Sequence, residues 1–140
     1  MKTSPYNEKA NTYNGKGLEL FDKEKYQEAI EWFDKAIEVD PKYVYALYNK
    51  GLCLQRLNKN QEAIEWFDKA IEVDPKDKYA LSGKGLALSN LGRYEEAIEW
   101  NDKAIEVDPK DRYALDLKNT IQGLMKTSPC LLYTSDAADD

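Results

Sequence analysis

The sequence predicts an all-α fold of stacked helical hairpins, and three observations carry that prediction. First, the run QEAIEWFDKAIEVDPK occupies residues 27–42, recurs letter for letter at 61–76, and returns with two changes at 95–110. The spacing of 34 residues marks a stack of small units rather than one globular core. Second, the apolar residues inside each unit recur three and four apart, the period of a helix with one buried face. Third, Asp-Pro closes each unit at Pro41, Pro75 and Pro109, where a residue without an amide hydrogen must end the second helix.

The elements follow in order. Residues 1–9 read as a lead-in, and the units run 10–43, 44–77 and 78–111, followed by a half unit at 112–125. In unit one the stripe Ala29, Ile30, Phe33, Ala36 and Ile37 lies on one face of the second helix. In unit two Ala46, Leu47, Gly51, Leu52 and Leu54 line the first helix in the same way. The breaks between paired helices fall at Asp22-Lys23-Glu24-Lys25, Asn58-Lys59-Asn60 and Leu91-Gly92-Arg93. Asp77 and Asp111 are placed to cap the helices that follow them. Gly17, Gly51 and Gly85 share one register, as do Ala29, Ala63 and Ala97. A helical glycine costs about 1 kcal/mol against alanine, so three in register point to close approach of the paired helices. The half unit carries Ala114, Leu115 and Ile121 for the preceding unit but Asn119 and Gln122 on its other side, the solvated face of a cap.

This pattern resembles the tetratricopeptide repeat family over residues 10–125. Unit one matches its signature with Tyr13, Gly17, Leu20, Tyr26, Ala29, Phe33, Ala36 and Pro41. Unit two matches with Leu47, Gly51, Leu54, Ala63, Phe67, Ala70 and Pro75, and unit three with Leu81, Gly85, Leu88, Tyr94, Ala97, Ala104 and Pro109. Asn60 and Asn101 depart from it, each standing where the family has an aromatic residue. Asn101 is either buried, at a cost of a few kcal/mol if it lacks a partner, or partly wet at the looser C-terminal end, and unit three is expected to be the weakest. The resemblance implies a right-handed α-solenoid of three helix-turn-helix repeats plus a C-terminal capping helix.

Composition bounds the function. The chain has 140 residues, 33% of them charged, and a net charge of -6. An acidic chain is a poor partner for phosphate backbones, so neither a nucleic-acid partner nor an RNA-binding helical repeat is expected. No run approaches membrane-span length, and the first residues lack the apolar stretch of a signal peptide; a cytoplasmic chain is the expectation. There is no histidine, hence no histidine-based triad. Cys53 and Cys130 make no disulfide framework or zinc-ligand spacing, and the glycines form no phosphate-binding loop. No cofactor, metal or catalytic residue is expected. The stripe Glu31, Glu38, Glu65, Glu72, Glu99 and Glu106 reads as a solvated face paired with Lys35, Lys69 and Lys103. Trp32, Trp66 and Trp100 read as packing at unit junctions or on the convex face, and Lys16, Lys50, Lys84 and Lys118 as stems lying over the apolar seam.

The expected function is binding. The resemblance implies that the first helices line a concave groove, with Asn14, Leu18, Phe21 and Asp22 among the unit-one residues facing it. Tyr45, Tyr48, Leu52, Gln55 and Arg56 would face it from unit two, Tyr79 and Leu86 from unit three, and Tyr113 and Asp116 from the cap. A tyrosine ladder (Tyr45, Tyr79, Tyr113) would stand beside a leucine ladder (Leu18, Leu52, Leu86), a surface suited to peptide recognition. Relatives that clamp chaperone C-terminal carboxylates do so from positions held here by Asn14, Leu18, Asn49, Tyr79 and Gly83, of which only Asn49 matches. The expected partner is therefore an extended or helical peptide or helix of another protein, not a chaperone C-terminal carboxylate, bound by a monomer or weakly self-associating scaffold. The alternatives are the non-catalytic part of a larger truncated enzyme or sensor, and a designed consensus array, against which Asn60 and Asn101 stand. Residues 126–140 read as a disordered tail. Within it, CLLYTSDAADD at 130–140 resembles translated sequencing-adapter sequence, and setting it aside takes the net charge from -6 to -3. Met-Lys-Thr-Ser-Pro occurs at both 1–5 and 125–129, suggesting a linker before each block of a longer array.

Overall fold

The computed structural model describes residues 5–127, with side chains from Glu8 onward. Among them are seven helices and no strand: α1 (Pro5–Asp22), α2 (Tyr26–Val39), α3 (Val44–Arg56), α4 (Asn60–Val73), α5 (Lys78–Asn90), α6 (Tyr94–Val107) and α7 (Arg112–Thr127). Each helix packs on the next, and α1, α3, α5 and α7 also touch in succession. The first helices thus form one continuous layer, and α2, α4 and α6 form a second layer behind it. This is an all-α solenoid of helix-turn-helix repeats.

Two turn designs recur, and both follow from the chain's local chemistry. Each first helix closes in a Schellman motif, with a left-handed residue just beyond the helix. Lys25, Lys59 and Arg93 donate their amides to Leu20, Leu54 and Leu88, at 2.9, 2.8 and 2.9 Å. The left-handed residues are Glu24, Asn58 and Gly92, at φ 61°, 62° and 79°. Each second helix ends on an extended aspartate before the proline, at φ between -136° and -140°, as the proline ring requires. The aspartates accept the amides of Lys42, Lys76 and Lys110 at 3.0, 3.1 and 3.2 Å. Asp77 and Asp111 then accept the amides of Tyr79 and Tyr113 at 3.0 and 3.2 Å, which satisfies orphan donors at the next helix start.

The core is a row of rings set on glycines. Phe33 and Phe67 are wholly buried. A methyl group on Gly17 would enter the Phe33 ring. Phe67 is gripped from both sides, since a Cβ on Gly51 would lie 2.6 Å from its ring and one on Gly83 2.9 Å from it. In the third unit Asn101 occupies the place of the ring, with its Cβ 3.2 Å from the position of a Cβ on Gly85. Of the two placements open to Asn101 the structure has the buried one, at 0% exposure, and not the partly wet one. Its Nδ2 donates to the Ala114 carbonyl of α7 at 2.8 Å, while its buried Oδ1 has no partner. Asn60, the other departure, is also buried and accepts from Asn90 Nδ2 at 3.2 Å.

The outer layer differs from expectation in its charges. Lys50 and Lys84 stand 3.9 and 3.7 Å from the ring centres of Trp66 and Trp100 in their own units. They also reach back to Asp34 and Asp68 of the preceding unit, both at 2.6 Å, and Lys118 reaches Asp102 at 2.9 Å. These lysines therefore staple consecutive units instead of only lying over the seam. Lys35, Lys69 and Lys103 stand 4.1, 3.9 and 4.7 Å from the ring centres of Trp32, Trp66 and Trp100. The ion pairs among the described residues do not join them to the glutamate stripe; the indole faces draw them by cation–π attraction.

Both ends depart from the expected boundaries. α1 begins at Pro5, inside the segment read as a lead-in, and a proline is well suited to the first helical position. α7 runs to Thr127, two residues into the segment read as a disordered tail. Asn119 and Gln122 are exposed on it, whereas Ala114, Leu117 and Ile121 are buried. Residues 1–4 and 128–140, which include the adapter-like run, most of the first Met-Lys-Thr-Ser-Pro and the last two residues of the second, lie outside the described residues.

Candidate functional site

The free face of the first-helix layer carries most of the side chains that the sequence analysis singled out. Tyr45, Tyr79 and Tyr113 sit one helix apart on α3, α5 and α7 and are 63%, 58% and 53% exposed. Large apolar rings held this far into water make an unusual surface in so polar a chain. Leu18 on α1 is exposed, while Leu52 and Leu86, at the same register on α3 and α5, are half-buried between neighbours.

Tyr48 links this surface to the core. Its ring centre is 5.8 Å from that of Phe67 and 6.1 Å from that of Tyr79. Burial pushes its hydroxyl well above the ordinary phenol range, and Tyr113, Asp77 and Tyr79 push the same way while Arg56 opposes them. Tyr113 is raised too, chiefly by burial, again with Arg56 opposing. Both hydroxyls stay protonated at neutral pH and can donate hydrogen bonds. Arg56, on the same helix as Tyr48, acts on both hydroxyls, which sets Tyr113 of α7 in the same electrostatic neighbourhood. Arg56 is itself exposed and holds its guanidinium carbon 5.7 Å from the Phe21 ring centre on α1.

Asn14 does not belong with this set. It is 6% exposed, and its Oδ1 accepts from Asn49 Nδ2 at 3.0 Å. The pair ties α1 to α3 beneath the surface, so a residue expected to face the groove is a packing contact. Gln55 shows the reverse. It is 7% exposed and its Nε2 is buried without a partner. The family register sets it among the groove-facing residues, but polarity alone does not reveal which amide lacks an acceptor. Cys53, two residues earlier, is wholly buried, and burial pushes its thiol up to about 12, leaving it unreactive. Among the described residues no group of acidic, cysteine or histidine side chains is placed to hold a metal ion, and no helix is long and apolar enough to cross a membrane.

Comparison with known proteins agrees with this fold. Family models described as tetratricopeptide repeat match residues 14–78 and 79–111. A curated relative, the uncharacterized protein MJ0572 of Methanocaldococcus jannaschii, is 46% identical over 44 residues; that match covers 31% of this chain and 51% of the relative. The chain therefore spans about half the length of that relative. Among solved structures, the first repeat domain of Spaghetti (RPAP3) bound to the HSP90 peptide SRMEEVD is similar, with a TM-score of 0.81 and 26% identity. The match covers 86% of this chain and 95% of that one. The TPR2B domain of yeast Sti1, in complex with an Hsp70 peptide, has a TM-score of 0.78 and 26% identity, covering 82% and 97%. The first repeat domain of human RPAP3 has a TM-score of 0.82 and 25% identity, covering 85% and 94%.

These complexes correct one expectation. The exclusion of a chaperone C-terminal peptide rested on the identities of five side chains, and similar folds hold such peptides at low sequence identity. Matching one clamp geometry residue by residue tests that geometry alone, not the capacity of the helix layer to seat a peptide, and the exclusion is withdrawn. Three 34-residue hairpins, glycines that seat aromatic rings, and family models matching most of the described chain lead to one assignment: the chain belongs to the tetratricopeptide repeat family.

Proposed function

We propose that this chain is a protein–protein interaction module, an adaptor or scaffold of the cytoplasm and not an enzyme, which takes a peptide segment of a partner along its first-helix face. The observation that carries the reading is the row Tyr45, Tyr79 and Tyr113, each more than half exposed on successive first helices. Tyrosine offers a large contact area with few rotors to immobilise and a hydroxyl for the ligand backbone. The half-buried leucines beside it supply the apolar floor. Similar domains are bound to HSP90 and Hsp70 peptides, which supports an interaction module and makes an acidic peptide a reasonable first ligand.

Titration of the isotope-labelled protein with SRMEEVD, followed by nuclear magnetic resonance, tests the proposal. Shift changes concentrated on α1, α3, α5 and α7 are expected. Changes confined to the tryptophan face of α2, α4 and α6, or none up to about 1 mM peptide, a concentration that detects binding as weak as about -4 kcal/mol, would count against it.

A further inference from the structure

The middle of this face holds an unmet chemical demand. Gln55 and Arg56 are adjacent at the end of α3, the second of the four helices that form the layer. Gln55 carries a buried amide nitrogen with no acceptor, a state that costs free energy until an oxygen reaches it. Arg56 is exposed, makes no ion pair among those found in the described residues, and rests over the Phe21 ring with its donors free. The phenols of Tyr48 and Tyr113 lie within reach of its charge. Of the residues that the family register sets on the groove, the other charged ones are Asp22 and Asp116, and Asp116 already faces Arg112 at 3.8 Å. A cation beside an orphaned donor, in a layer otherwise aromatic, leucine-rich and acidic, is complementary to one carboxylate.

We propose that Gln55 and Arg56 form an anchor for an acidic side chain in the interior of an extended peptide ligand, whose flanking apolar residues lie on Leu18 and Phe21 to one side and on Tyr79 and Tyr113 to the other. The anchor's place on an inner helix favours an internal Asp or Glu over a chain terminus, because groove surface continues on both sides of it. The helices that supply the family-type clamp positions offer no competing cation here: Asn49 is engaged by Asn14, and the remaining positions are leucine, tyrosine and glycine. Arg56 would bind the carboxylate through two of its donors, and Gln55 would take up the ligand oxygen its amide lacks.

This inference rests on the groove reading, and the test separates the two. Peptides are selected from a phage library of random dodecamers with constant sequence at both ends, against the wild type, Arg56→Gln, Gln55→Leu and Tyr79→Ala. Wild-type binders are expected to share one Asp or Glu between apolar residues. Arg56→Gln should weaken a synthetic copy of such a binder by about 10- to 100-fold, the worth of a charged hydrogen bond, and Gln55→Leu by about 10-fold, with helical content unchanged. Binders without a shared acid, or with unchanged affinity for Arg56→Gln, would overturn the anchor while loss of binding in Tyr79→Ala left the groove standing. Binders indifferent to Tyr79→Ala would overturn the groove reading and the anchor with it. Loss of affinity on amidating a free C-terminus, with none on Glu→Gln within the peptide, would assign Arg56 to a terminal carboxylate and refute the internal site.

Discussion

Replacing Asn101 with leucine should stabilise this protein, against the usual direction for a change at a buried position. Asn101 is 0% exposed and its Oδ1 has no partner. An unsatisfied buried acceptor costs about 1–3 kcal/mol. Leucine removes that cost and adds apolar area at a site already lined by Gly85 and Ala97. The loss is the hydrogen bond from Nδ2 to the Ala114 carbonyl at 2.8 Å, worth about 1 kcal/mol net. That carbonyl sits in the first turn of α7, where the helix supplies it with an amide of its own. The balance is a gain of about 2 kcal/mol, or roughly 8 °C in Tm for a chain of this size. Urea unfolding followed by circular dichroism measures it, and hydrogen exchange in α6 and α7 shows whether the gain is local, as expected for a stack of repeats. A variant less stable than the wild type by 1 kcal/mol or more would refute the reasoning. It would mean that the bond to Ala114, which pins the cap to the third unit, outweighs the orphaned oxygen.

Glycine to alanine should have opposite signs at two helical positions. Gly15 has open space around it and Gly15→Ala should stabilise by about 1 kcal/mol, whereas Gly51→Ala drives a methyl to 2.6 Å from the Phe67 ring and should destabilise by about 2 kcal/mol; denaturant midpoints read both, and equal signs would contradict the ring-on-glycine packing. The Cys53 thiol, raised from 9.0 to about 12 by burial, is kept neutral by the fold. Its contribution is therefore fully present below pH 9.0 and lost as pH rises toward 12. Between those limits the wild type should lose stability relative to Cys53→Ala by about 1.4 kcal/mol per pH unit. Parallel pH profiles would show that the thiolate is not excluded.

Much of the architecture is legible in the sequence because each repeat states its instructions three times. Gly17, Gly51 and Gly85 announce close packing, and Asp-Pro announces where a second helix stops. The left-handed turns were hidden because Glu24 and Asn58 occupy a position that only Gly92 advertises. The lysine staples were hidden because they join an aspartate to a lysine of the next unit, 16 residues on in the case of Asp34 and Lys50, and no helical spacing reveals such a pair. Asn101 was legible as a departure from the pattern but not in its outcome, since the rescuing carbonyl of Ala114 belongs to the backbone. In the candidate site, register places Tyr45, Tyr79 and Tyr113 on one row, while the fate of Asn14 depends on a partner 35 residues away. Gln55 is likewise defined by what it fails to touch, which no sequence records.

The central claim, that the tyrosine row is the binding surface, is tested most directly by the affinity of a selected peptide for the double variant Tyr79→Ala, Tyr113→Ala. Both residues are more than half exposed, so the helices should remain intact, and calorimetry should show a loss of about 10- to 100-fold against the wild type. Unchanged affinity in the double variant, with Lys69→Ala on the tryptophan face weakening the peptide instead, would place the ligand on the other side of the solenoid and contradict the account.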